Sequence, residues 1–243
     1  MLNWFRKSNT NPAGVLPVID IHSHLLPGLD DGVQSFEEAE AIILRFQALG
    51  YKKLITTPHV MSDFFKNTNE TILAKHQELT QWLSNKRIQI EIQPSGEYYL
   101  DEELINKIEN GSPLLTFGNK YLLFETNFMN EPLNLKEFIF LATTKGYKLI
   151  LAHPERYLFI QNNFSKAEDL LNRGLLFQLN ISSISGYYSK AAQTTAQKLI
   201  DKGWIHFLGS DCHNQQHIQL MEETRNTKYF QKAISLPLLN NSL

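Results

Sequence analysis

The sequence predicts a parallel, barrel-like α/β architecture, on two observations. One unit recurs: an apolar, β-branched run, a polar turn, then an amphipathic helix closing on a basic residue or leucine and a glycine. The glycines of Lys145-Gly146, Arg173-Gly174 and Lys202-Gly203 are each followed at once by another strand-like run. Such alternation is the pattern of βα units stacked around a parallel sheet. The first strand is expected over residues 18–21. The first helix opens on Ser35 and Glu38 as a capping box and carries Ala39, Ile42, Ile43, Phe46 and Leu49 at helical spacing. Gly50 stands where a left-handed cap would end it. The remaining strands are expected over residues 53–57, 88–92, 121–125, 148–152, 175–181 and 205–209, which makes seven. No linker rich in Pro, Gly or Ser interrupts the series, so residues 17–243 are expected to be one domain.

Residues 1–16 form an expected N-terminal arm without a signal-peptide pattern; a weak interfacial contact by Leu2, Trp4 and Phe5 is the alternative. No stretch has the ~18 apolar residues of a membrane span. A net charge of −2 gives no argument for a nucleic-acid groove or a polybasic membrane patch. The single cysteine, Cys212, excludes an internal disulfide and suits a reducing cytosol, so a cytoplasmic location is expected.

In barrels of this kind the active site lies at the carboxyl ends of the strands. Strand one runs into His22 and His24, strand two ends at His59, strand three at Glu97, strand four at Glu125, strand five at His153, and strand seven at Asp211 and His213. Only strand six, closing at Asn180 and Ser182, lacks an ionisable residue. Alternate residues of a strand point the same way, so a His-x-His pair can grip one ion. Imidazole and carboxylate donors suit Mn, Fe or Zn, and a carboxylate can bridge two ions. Read alone, His76, His206 and His217 are ordinary surface or hydrogen-bonded histidines.

The segment from Asp20 to Gly32, Asp-Ile-His-Ser-His-Leu-Leu-Pro-Gly-Leu-Asp-Asp-Gly, resembles the first motif of the polymerase and histidinol phosphatase (PHP) superfamily. With Thr56-Thr57-Pro58-His59, Gly96-Glu97-Tyr98-Tyr99, Ala152-His153-Pro154-Glu155-Arg156 and Gly209-Ser210-Asp211-Cys212-His213, the chain is similar to the bacterial metal-dependent protein-tyrosine phosphatases of capsule and exopolysaccharide loci. The resemblance implies a distorted seven-stranded (β/α)7 TIM-like barrel and three divalent ions, manganese first with iron or zinc as alternatives. It places one ion on His22, His24, Glu97 and Asp211, with Glu97 bridging to a second that adds Glu125 and His153. The third would use Asp31, His59 and His213, with Asp30 a rival to Asp31. It further implies a phosphotyrosine protein as partner, the tyrosine-rich tail of a membrane tyrosine kinase. An oligomer is compatible with all of this.

The expected chemistry is phosphomonoester hydrolysis by a metal-bound hydroxide, divalent ions lowering the pKa of water from 15.7 toward about 7. Arg156 is placed to clamp the phosphate, against the alternative of a salt bridge to a carboxylate such as Glu155. Asp211 or a metal-held water would protonate the leaving oxygen. Tyr98 and Tyr99 are candidates to line the mouth, with core packing as the other reading, and Met61, Phe64 and Phe65 to form an apolar wall. Cys212 is not the expected nucleophile: the arginine that a cysteine phosphatase places six residues on is Ile218 here. Rival readings are a histidinol-phosphate or other small phosphomonoester phosphatase, a metal-dependent amidohydrolase, and a non-catalytic, metal-containing phosphotyrosine-binding module.

Overall fold

The computed structural model describes residues 16–243; the expected N-terminal arm lies outside them except for Leu16. Strands β1 (Ile19–Asp20), β2 (Lys53–Thr56) and β4 (Glu91–Pro94) form one sheet. Strands β3 (His59–Val60), β5 (Glu97–Tyr99), β6 (Tyr121–Glu125), β7 (Lys148–Ala152), β8 (Leu176–Asn180) and β9 (Phe207–Gly209) form a second, in that order. Every pairing is parallel, so all the strands deliver their carboxyl ends to one side.

Seven expected strands become nine because the second and third are each broken. Pro58, which has no N–H to donate, lies between β2 and β3. Ser95 and Gly96 separate β4 from β5 in step with it. Hydrogen bonds still cross the break, from Ser95 N–H to the Thr56 carbonyl (2.8 Å) and from Glu97 N–H to the Pro58 carbonyl (3.1 Å). The third strand also begins later than expected. Ile88 N–H is still tied to the Leu83 carbonyl at the end of helix α2 (Asn69–Asn85), and pairing starts only at Glu91.

Helix α1 (Phe36–Ala48) starts where expected, with Ser35 accepting from Glu38 N–H. Glu38 completes the cap one residue further out, accepting from Gln34 N–H at 2.8 Å. Ala39, Ile42, Ile43 and Phe46 are buried along one stripe, and Gly50 takes a φ of +94° that L side chains rarely adopt.

Two apolar clusters flank the strands. The larger lies between strands and helices; the smaller gathers Ile19, Ile21, Ile55, Leu123, Ile150, Ala152 and Phe207 from five strands and their margins, with Phe117. The chain beyond β9 meets the chain beyond β1: Asp211 N–H donates to the His22 carbonyl (2.8 Å) and His24 N–H to the Cys212 carbonyl (3.0 Å). At the opposite end Asn240 donates to the carbonyls of Ile19 (3.0 Å) and Leu208 (2.8 Å) and accepts from Leu208 N–H.

Candidate metal centre and phosphate site

At the carboxyl side of the strands the structure brings His22, His24, Asp31, His59, Glu97, Glu125, His153, Asp211 and His213 together. Their donor atoms fall into four overlapping sets, each within 4.8 Å: His24-Asp31-His59-His213, His22-His24-Asp211, His22-Glu97-His153 and His59-Glu97-Glu125. Alternation along the strands explains part of this. On β6, Leu123 feeds the inner apolar cluster and Glu125, two residues on, rises into the site. At the ends of β7 and β9 alternation gives way to a turn: His153 (φ 36°) and Asp211 (φ 49°) are both left-handed, a conformation His and Asp tolerate better than most residues. The strain, about 1–3 kcal/mol each, persists only where the surroundings over-determine it.

The arrangement fits a cation. His22 Nδ1–H donates to Gln178 Oε1 (2.8 Å) and His24 Nδ1–H to Asp30 Oδ2 (2.7 Å). Those partners leave both Nε2 lone pairs facing inward, 3.2 Å apart. Between and around them stand two further acceptors. Glu97 Oε2 lies 3.2 Å from His22 Nε2, 3.4 Å from His24 Nε2 and 3.1 Å from His59 Nδ1, yet is buried without a hydrogen bond. Asp211 Oδ1 lies 3.4 Å from His22 Nε2, 3.5 Å from His24 Nε2 and 3.4 Å from His213 Nδ1. Converging lone pairs with no proton to share repel one another unless a positive ion lies among them. Without one, protons substitute. Burial opposes charging His24, but Asp30, Asp211 and Glu97 overcome it and hold its pKa well above the usual range. Burial likewise opposes charge on His59, and Glu97 and Glu125 still lift it to about 10.

Asp30 and Asp31 separate cleanly. Asp30 is buried and orients its neighbours: it takes His24 Nδ1–H, His59 N–H (3.0 Å) and Gly32 N–H (2.9 Å). Asp31 faces the cleft, its Oδ1 3.5 Å from His59 Nε2 and 3.4 Å from His213 Nε2.

Arg156 lies in the same cleft, which has a volume of about 360 Å³ and is also lined by Met61, Phe128, Tyr188 and His217. Its guanidinium sits between two aromatic faces, 4.1 Å from the Tyr188 ring and 4.7 Å from Phe128. It pairs with Asp211 Oδ2 at 3.1 Å rather than with Glu155, which turns away to accept from Ser183 Oγ (2.6 Å) and Asn180 N–H (3.1 Å). Asp211 Oδ2 also takes Asn180 Nδ2–H (2.6 Å) and the Tyr188 hydroxyl (3.0 Å).

Tyr98 does not line this cleft. It is buried, its hydroxyl accepts Leu115 N–H (2.8 Å), and it borders a separate cavity of about 180 Å³ with Val60 and Asp101. Glu97 points inward, so its neighbour on β5 must face the other way. Of the expected apolar wall, Met61 lines the cleft, Phe65 stacks on the His59 ring (5.4 Å) and Phe64 is 80 % exposed. Cys212 is buried in the larger core, where burial pushes its thiol pKa up. His76 is bonded to the Ile92 carbonyl and His206 accepts from Phe177 N–H, both as ordinary histidines. His217 sits at the rim, tied to the Asp211 carbonyl (3.0 Å) and the Tyr187 hydroxyl (3.1 Å).

A crowded His/carboxylate centre at the carboxyl ends of parallel strands, with an arginine beside it, is the arrangement of a protein that could hold metal ions next to an anionic ligand. Residues 18–234 match the capsular polysaccharide synthesis family CpsB/CapC, and the chain belongs to it. It is 29% identical over 201 residues to the tyrosine-protein phosphatase YwqE of Bacillus subtilis (strain 168), covering 81% of this chain and 78% of that one. It is 25% identical over 206 residues to the tyrosine-protein phosphatase CpsB of Streptococcus pneumoniae, covering 81% and 83%. A crystal structure from the pair YwqE of B. subtilis and CpsB of S. pneumoniae, described as unique metal-dependent tyrosine phosphatases, superposes with a TM-score of 0.77 at 26% identity, over 91% of this chain and 94% of that one.

Proposed function

We propose that the chain is a metal-dependent protein-tyrosine phosphatase. One observation carries the reading: Arg156, preset between Phe128 and Tyr188, opens onto the same cleft as the four overlapping donor sets. Family membership supports it, since the relatives named above are tyrosine phosphatases. Three divalent ions are proposed, manganese first with iron or zinc as alternatives: one on His22, His24, Glu97 and Asp211, a second on Glu97, Glu125 and His153, a third on Asp31, His59 and His213. Bound there, such ions lower the pKa of water and neutralise phosphoryl charge.

The chain's own residues supply the rest. Arg156 offers a planar pair of N–H donors to phosphate oxygens, and the aromatic faces hold the guanidinium in plane. Asp211 turns Oδ1 to the histidines while Asn180, Tyr188 and Arg156 hold Oδ2. Burial opposes the charge on Asp211, but His22, His24, His213 and Arg156 keep its pKa well below the usual range, which suits a ligand better than a proton donor. A phenolate leaving group, with a pKa near about 10, demands little protonation.

Residues 17–243 are proposed as one catalytic unit in which both sheets are arcs of a single seven-stranded ring, each broken strand counting once. The hydrogen bonds between the ends of β1 and β9 support closure. The proposed substrate is a tyrosine-phosphorylated protein, such as the tyrosine-rich tail of a membrane kinase, met in the cytoplasm. Among the described residues no helix is long and apolar enough to cross a membrane. The test compares phosphate release from phosphotyrosine peptides, phosphoserine peptides and histidinol phosphate, before and after chelation. Metal-dependent release from phosphotyrosine is expected; preference for histidinol phosphate, or peptide binding without release, overturns the reading.

A further inference from the structure

With each broken strand counted once, β8 is, among the described residues, the strand whose end brings no ionisable side chain to the site. It brings two carboxamides instead, Gln178 and Asn180, both fully buried. Two residues apart on one strand, they face the same side. Their hydrogen bonds run head to tail. His22 Nδ1–H donates to Gln178 Oε1 (2.8 Å), Gln178 Nε2–H to Asn180 Oδ1 (2.8 Å), and Asn180 Nδ2–H to Asp211 Oδ2 (2.6 Å). The row joins an imidazole at the end of β1 to a carboxylate beyond β9. Gln178 Oε1 also takes His153 N–H at 3.4 Å, and Glu155 Oε1 pins Asn180 by its backbone N–H at 3.1 Å.

The neighbouring strand keeps a place open for this row. A Cβ on Gly209 would stand 2.5 Å from Gln178 Nε2, 2.9 Å from its Cδ and 2.9 Å from His22 Cβ. No real side chain tolerates the first of these, so the Gln178 amide occupies the volume that a glycine leaves free. Amides also suit the position electrically. A carboxylate at 178 would accept from His22 equally well, but it would add negative charge beside Glu97 and Asp211 and could not donate onward. Hydrogen bonds aligned in one direction polarise one another, so the row is stiffer than its separate members.

We propose that Gln178 and Asn180 are positioning residues, a one-way carboxamide relay that fixes the His22 ring and the Asp211 carboxylate for a shared divalent cation. The relay rests on the metal centre proposed above. In the neutral His22 ring it places the proton on Nδ1 and turns the Nε2 lone pair inward, and together with Arg156 and Tyr188 it occupies Asp211 Oδ2, so that Oδ1 is the oxygen left for the ion.

The test is calorimetric titration of Mn²⁺ into the chelated full-length protein, comparing wild type, Gln178→Met, Asn180→Asp, the double variant and His22→Ala. Gln178→Met keeps the volume and removes both legs. Asn180→Asp keeps the acceptor for Gln178 and puts an oxygen against Asp211. Each single change is expected to weaken Mn²⁺ binding about 10–100-fold, the usual effect of removing a group that orients a ligand. The double variant is expected to be no weaker than the worse single one, because a row broken once is broken; merely structural roles would add. Additive losses, or wild-type affinity in Gln178→Met while His22→Ala loses binding, overturn the relay alone. If His22→Ala binds like wild type, the metal centre falls and the relay with it. Should Gln178→Met fail to fold, Asn180→Asp decides, and wild-type affinity in that variant overturns the relay.

Discussion

Adjacent carboxylates with different surroundings make the sharpest test of the centre. Asp30 and Asp31 are chemically identical, yet Asp30 is sealed under the site and Asp31 has a side chain 61 % exposed. In Asp30→Asn one carboxylate oxygen becomes an N–H donor. Turned toward His24 and His59 it would face two donors, so it turns toward Gly32 and loses that backbone bond (2.9 Å) along with the charge that steadies His24. A hydrogen bond to a charged group contributes about 1.5–3 kcal/mol. A loss of about 2 kcal/mol lowers the melting midpoint of a chain this size by about 4–8 °C. Asp31→Asn removes no buried bond and should shift stability by less than about 0.5 kcal/mol. The order reverses for metal: Asp31→Asn removes a donor from the set with His24, His59 and His213 and should lose binding at that position. Scanning calorimetry of the chelated variants, with Mn²⁺ stoichiometry measured in parallel, reads both quantities. Equal destabilisation by the two changes, or full metal capacity in Asp31→Asn, refutes the division of labour.

Arg156→Lys keeps the charge but loses the planar pair of donors and the fit between Tyr188 and Phe128; kcat/KM for a phosphotyrosine peptide should fall about 10–100-fold, the equivalent of one charged hydrogen bond. Cys212→Ser should leave kcat within about threefold while lowering stability by about 1–3 kcal/mol through an added buried hydroxyl; an inactive but folded, metal-loaded variant would point to cysteine chemistry instead. Asp20 is buried, which lifts its pKa to about 7 despite two hydrogen bonds from Ser210. The folded state therefore holds a proton that the unfolded state releases near the ordinary value of 3.8, so Asp20's contribution to stability is full below that pH and is lost as pH rises to about 7. Over that span the loss amounts to about 4 kcal/mol. Asp20→Asn mimics the protonated form and should flatten that part of the stability profile in denaturant titrations of chelated protein; an unchanged slope would assign it to other groups.

Much of the cluster was readable from the chain because His, Asp and Glu stand out at the ends of apolar strands. β6 and β7 lie where their apolar runs place them, and the His and carboxylate residues expected at strand ends do meet. What escaped was uncharged. Gln178 and Asn180 read as ordinary residues of a buried strand, since an amide announces neither a ligand nor a turn. Tyr188 lies between two helices, far in sequence from the arginine it stacks on, and no local pattern marks that contact. Tyr98 was misplaced for a simpler reason: proximity in sequence to Glu97 implies, on a strand, the opposite face. The breaks at Pro58 and at Ser95-Gly96 follow from chemistry visible in the sequence, but their being in step depends on a neighbour that only the fold supplies.

The hydrogen bonds between the ends of β1 and β9 carry a consequence for how the protein comes into being. Ser210 is held by Asp20 across 190 positions of sequence, and Asn240 seals β1 to β9 from below. During synthesis His22 and His24 emerge long before Asp211 and His213, so a nascent chain carries half a centre whose lone pairs have no counterpart. Contacts of such long range must meet their loop-closure cost before they return any stability, which slows folding. Metal would then act on the last step: an ion that binds only the finished fold stabilises it by about 2.7 kcal/mol at a concentration one hundred times its Kd. Metal supply would thus set how much of the chain survives as folded protein, as well as how fast it turns over.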